Sequence, residues 1–131
     1  MTRHSLLQDV RTLGSYPTDE EAGHVLDTVL GVLGSQLTGT ERCELAAILP
    51  VRARAALVAP VPRTEPVPAP AFVDTVARSL DTSRTGARWD ASCVLTALAD
   101  LVGPEATDRL LAQLPRGYAL LFGRADLLPA A

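Results

Sequence analysis

The sequence predicts an all-α protein of about eight short helices, arranged as two pseudo-equivalent four-helix repeats packed on a shared core. Three observations carry that expectation. Apolar residues make up 47% of the 131 positions and aromatics only 4%; Ala and Leu favour helices, whereas strands draw on β-branched and aromatic side chains. The apolar residues recur at helical spacing, and no alternating strand pattern appears. Finally, one phrase is written twice: "LAAILPVRARAAL" (Leu45 to Leu57) and "LLAQLPRGYALLF" (Leu110 to Phe122), each an apolar run broken by Leu-Pro and resumed.

The first helix of each repeat is short, about His4 to Leu13 and Phe72 to Leu80. The second opens at Thr18, where Glu21 three residues on completes a capping box and Asp19, Glu20 and Glu21 suit the positive end of the helix dipole. Its stripe Ala22, Leu26, Val29, Leu30, Leu33, Leu37 is repeated by Ala87, Ala91, Val94, Leu95, Leu98, Val102, with a weaker start signal near Thr85. The third helix follows Thr38, which forms a box with Glu41, and in the second copy Gly103-Pro104, which fits a cap and first helical position. Pro50 and Pro115 end that helix and open a fourth, about Pro50 to Val58 and Pro115 to Phe122. Proline is tolerated there because the first amides of a helix have no partner within it.

A shift of 65 residues lays Ala22 on Ala87, Val29 on Val94, Leu45 on Leu110 and Pro50 on Pro115; a shift of 66 lays Leu6 on Phe72 and Val10 on Val76. Matches at apolar positions and at the Leu-Pro corner point to one helical unit used twice. The expected division is residues 1–58, a connector at 59–71 with prolines at 60, 62, 66, 68 and 70, and residues 72–131, the two repeats forming one compact domain. Clustered prolines remove amide donors and disfavour helix, so the connector reads as extended.

The early "LLQDV" and "FVDTVA", the acidic "TDEEAGHVLDTVLGVL" and the closing "LAAILP" and "LLAQLP" resemble a bacterial family, domain of unknown function family 2267. The resemblance spans nearly the whole chain in two copies. It implies an all-helical fold and no agreed activity or catalytic residues. The prolines of the connector depart from that family's more charged segment.

Composition narrows the function classes. A formal charge of −3 runs against a general nucleic-acid or anionic-membrane binder. No apolar run approaches the roughly 18 residues of a membrane span, and the N-terminal "MTRHSLLQDVR" meets charge too early for a signal-peptide core. A cytoplasmic protein with no membrane association is the expectation. All 12 basic residues are Arg, for which coding bias is a simpler account than bidentate anion recognition. Cys43 and Cys93 form neither a disulfide framework nor a zinc ligand set, and both read as structural. His4 and His24 lack partners at metal-binding spacing. No phosphate loop or nucleophile motif appears, so no catalytic residue, metal or cofactor is expected.

The expected function is therefore that of a non-enzymatic protein-interaction or adaptor protein, with another protein or a second copy of the chain as partner. Trp89, at the place His24 holds in the first copy, has two readings: it covers the first helix of its own repeat, or it anchors a partner, as tryptophan often does. Tyr118, Phe122, Leu127 and Leu128 form an apolar C-terminal cluster that either closes the core or joins a partner surface. The alternative is a nucleic-acid-binding regulator, in which a helix-turn-helix-like segment places Arg52 and Arg54, with Arg63 in the connector, on phosphates.

Overall fold

The computed structural model describes residues 5–37, 39–61 and 66–123. Among these it has eight helices and no strand: α1 (Ser5–Gly14), α2 (Asp19–Gly34), α3 (Gly39–Ile48), α4 (Val51–Val58), α5 (Ala69–Leu80), α6 (Arg84–Val102), α7 (Pro104–Gln113) and α8 (Tyr118–Leu121). The fold is all-α.

Local chemistry explains most boundaries. The Thr18 hydroxyl accepts from the Glu21 amide at 3.1 Å, satisfying one of the donors left over where α2 begins. Helix α6 starts at Arg84, beside the expected Thr85, with Ser83 as its cap: the Ser83 hydroxyl accepts from the Gly86 amide at 2.9 Å. Helix α7 begins as its sequence suggests, with Gly103 at φ 92° and Pro104 in the first position. Thr38 of the other expected box lies outside the described residues.

The two Leu-Pro corners differ. The Pro50 carbonyl accepts from the Arg54 amide at 2.8 Å, so Pro50 launches a helix of two turns. Pro115 does not launch α8. Gly117, at φ 98°, holds the chain in the left-handed region, and only the four residues Tyr118–Leu121 are helical where a longer helix was expected from Pro115. Glycine adopts that conformation without the penalty a Cβ brings. Helix α5 gains a turn in the opposite sense, beginning at Ala69 and not Phe72, with Pro70 in its first turn.

Helices α2 and α6 pack on each other at the centre. Helix α1 lies against both, and so does α5. Helix α4 covers α2 and carries α3, while α7 and α8 cover α6. The core residues Ala22, Val29, Leu30 and Leu33 of α2 are fully buried, and so are Ala87, Val94, Leu95 and Leu98 of α6, the positions that the 65-residue shift pairs with them. Burying a leucine or valine side chain contributes on the order of 1.5–3 kcal/mol, so this stripe dominates the stability of the centre. Backbones approach closely at one crossing: Gly34, in the last turn of α2, lies directly against the Leu57 carbonyl of α4.

Candidate functional site

Three surfaces bring side chains together. The first is the seam between α1 and α6. Ser15, at φ 56°, ends α1 and turns the chain so that Tyr16 faces α6. Arg11 holds this turn: its Nε donates to the Tyr16 carbonyl (3.2 Å), one Nη to the Pro17 carbonyl (2.7 Å) and the other to Asp19 (2.8 Å). The Tyr16 hydroxyl then donates to Asp90 Oδ1 at 2.5 Å, across 74 residues of sequence. Burial, followed by the hydrogen bond and negative charge of Asp90, drives the Tyr16 phenol well above its ordinary pKa. Cys93, one turn further along α6, is pushed up to about 11 by burial and then by Asp90. A thiol so protonated is a poor nucleophile.

Trp89 lies at the outer edge of this seam. Its indole N–H donates to the Gly14 carbonyl at a long 3.4 Å, and the residue remains 54% exposed. The hydrogen bond thus goes to the last residue of α1, a contact that neither sequence reading of Trp89 included. Leu13, beside Gly14 in sequence, is 41% exposed. His24, at the corresponding place in α2, is exposed, and no group of three or more metal-ligating side chains occurs among the described residues.

The second surface is an open groove of about 910 Å³ between α2, α4 and α5, floored by small residues that include Gly31, Ala55 and Ala56. At one end Arg52 donates through Nε and Nη2 to Asp27 Oδ2, at 3.1 and 2.9 Å. The other carboxylate oxygen, Oδ1, is buried with no hydrogen-bond partner. At the other end Gln36 bridges outward, its Oε1 accepting from the Val67 amide at 2.7 Å. Arg54 lies elsewhere: its guanidinium donates to the carbonyls of Ala46 (2.8 Å) and Leu49 (3.2 Å), satisfying the last turn of α3.

The third surface is a cleft of about 400 Å³ where the starts of α5 and α6 meet the turn before α8. Ala69, Val73 and Leu121 are buried in its floor, and Arg84, Arg88 and Arg116 stand exposed at its rim. Arg84 is paired with Asp74 at 3.1 Å.

A family model described as "Uncharacterized conserved protein (DUF2267)" matches residues 3–121 of the chain. The chain belongs to that family. A comparison with curated proteins finds no match. Membership in DUF2267 brings no assigned residue, so the geometry alone ranks the candidates.

It moves several of them. Tyr118 is wholly buried, its hydroxyl donates to the Val67 carbonyl at 2.7 Å, and its ring meets Phe72 edge-on with centroids 5.4 Å apart. Phe122 is buried as well. In this DUF2267 member both side chains close the core at the one-turn α8, which covers α6 together with α7. Leu127, Leu128 and Arg63 lie outside the described residues. Arg52 directs two of its donors to Asp27 and Arg54 directs two to main-chain carbonyls, and both residues remain exposed. Sequence reasoning missed the Tyr16–Asp90 contact, which no local spacing signals, and the arginine-rimmed cleft, whose residues come from three separated segments.

Proposed function

We propose that this protein is a cytoplasmic, non-enzymatic interaction module that binds another protein through the seam between α1 and α6, with Trp89 as its anchor. The observation that carries the reading is the state of that side chain. An indole whose N–H is already directed at Gly14, yet which stays half-exposed, presents apolar area with its polar atom accounted for. Aromatic residues of this kind are enriched among the few that dominate protein interfaces. The seam beneath it is fixed by Arg11 and by the Tyr16–Asp90 hydrogen bond, so little ordering is needed on binding. The halves are read as one helical unit used twice, whose shared apolar positions keep the core while exposed positions such as His24 and Trp89 diverge.

Affinity capture from nuclease-treated extract of the native cells, with the intact chain and with Trp89→Ala, tests this. The intact chain should recover a protein near stoichiometrically and the variant should lose it, with helicity unchanged by circular dichroism. Equal recovery by both would remove Trp89 as the anchor. Trp89 is the single tryptophan, so its fluorescence should also shift to the blue and resist quenching when the recovered partner is added back.

A further inference from the structure

We propose that the cleft rimmed by Arg88 and Arg116 binds a small organic carboxylate with an apolar body. This goes beyond the Trp89 surface and does not depend on it. Arg11, Arg42 and Arg54 donate to main-chain carbonyls, while Arg52, Arg84 and Arg109 face Asp27, Asp74 and Glu44. Arg78 reaches Thr75 at 3.4 Å. Arg88 and Arg116 make no hydrogen bond or ion pair among the described residues, and both line the same cleft. Two cations lining one concavity without a partner among the described residues repel each other, and an anion between them relieves that repulsion. Guanidinium forks suit a planar carboxylate, which accepts from them pairwise.

The cleft fits an apolar body as well as a head. Its floor of Ala69, Val73 and Leu121 is buried, and about 400 Å³ lies within the range of small-molecule sites. Gly117 shapes it: a Cβ there would lie 3.2 Å from that of Ala69, so the glycine lets the turn before α8 close against the start of α5. A strongly hydrated inorganic anion would gain nothing from such a floor.

The first half supplies an internal contrast. The cavity at the corresponding place, lined by Leu6, Leu7, Gly23, Pro50 and Arg52 among others, measures about 140 Å³. There Gly23 stands where α6 has Arg88, and its one arginine, Arg52, is paired with Asp27. The second half has a larger cavity, rimmed by two guanidinium groups that have no partner among the described residues.

Octanoate titrated into the full-length protein, followed by NMR shifts of the Ala69 and Val73 methyl groups, tests the assignment. Saturable binding is expected. It should weaken about tenfold for Arg88→Ala and again for Arg116→Ala, in line with loss of a charge-assisted hydrogen-bond pair. Both residues are exposed, so the variants should fold, as circular dichroism would show. Arg78→Ala should bind like the parent, and 1-octanol, with the same body and no charge, at least tenfold more weakly. Absence of saturation, equal binding of octanol, or unchanged affinity in the double variant would each overturn the proposal. Displacement of octanoate by an equal concentration of inorganic phosphate would overturn it too, reducing the cleft to a site for ions alone.

Discussion

Glycine-to-alanine changes at two positions of α2, one turn apart, should move stability in opposite directions. A Cβ at Gly34 would overlap the Leu57 carbonyl oxygen and lie 2.8 Å from its carbon and 3.3 Å from the Leu57 Cα. All three are main-chain atoms of α4 and cannot swing aside like the tip of a long side chain. Helix α4 must move away bodily, by on the order of 1 Å, before the contacts become ordinary. That displacement loosens Leu57 and Ala53, both buried against α2. It also stretches the clamp at this corner, where Arg42 donates to the carbonyls of Gly34 (3.2 Å), Val58 (3.2 Å) and Pro60 (2.8 Å). Overpacking costs about 1–3 kcal/mol, and each weakened hydrogen bond adds up to about 1 kcal/mol. The better helix propensity of alanine returns at most about 1 kcal/mol. With the overlap and the stretched clamp acting together, Gly34→Ala should destabilise by roughly 2–4 kcal/mol.

At Gly31 the nearest atom to a new Cβ is the Ala56 carbonyl oxygen at 3.7 Å, an ordinary contact. The propensity gain survives there, and Gly31→Ala should stabilise by about 0.5–1 kcal/mol. Urea unfolding followed by far-ultraviolet circular dichroism gives both values, and thermal midpoints should move by about 3–5 °C per kcal/mol for a chain of this size. A common sign for the two variants would refute the α2–α4 crossing described above.

Tyr118→Phe removes the donor to the Val67 carbonyl and should lower stability by about 1 kcal/mol, with faster amide exchange at Val67; unchanged exchange there would mean the hydroxyl does not anchor the connector. Exposed Cys43 should react at once with a thiol reagent under mildly alkaline conditions, and buried Cys93 only after denaturation. Because the folded Cys93 pKa is raised, from 9.0 to about 11, its contribution is complete below pH 9 and lost as pH rises through 11, the direction in which Tyr16 also acts. Cys93→Ala should flatten the fall in urea midpoint across that window, and an equally steep fall would assign it to other groups. Arg42→Lys keeps the charge but not the fork that spans three carbonyls, so it should cost about 1–2 kcal/mol, close to Arg42→Ala, as read from the same unfolding curves.

What the sequence disclosed follows from how local each cause is. The α2 stripe and the Thr18 cap are determined within a few residues, and both are present as expected. The Gly103-Pro104 start of α7 was legible for the same reason. Ser83 was harder to see because Arg-Thr-Gly follows it, without the acidic residue that completes a capping box. The length of α8 turned on Gly117 taking a left-handed conformation, which the apolar pattern from Leu110 to Phe122 does not report. Tyr16–Asp90 and the two-arginine rim were invisible because they exist only once α1, α5, α6 and α8 have been brought together.

The arginines show how composition and structure divide the explanation. Composition records that every basic residue is arginine, but not what each guanidinium does after folding. Short helices joined by tight corners leave many terminal carbonyls without partners relative to their length. A five-donor fork reaches several of them at once, as Arg42 does across the ends of α2 and α4 and Arg54 does at the end of α3. Arg52 and Arg54 are used in a related way, since an arginine just after a corner is well placed for any oxygen nearby. In this fold oxygens of Asp27, Ala46 and Leu49 accept two donors from each of these side chains. Arg88 and Arg116 stand apart, since the chain supplies oxygens to its other described arginines and, among the described residues, none accepts from these two, which line one cleft.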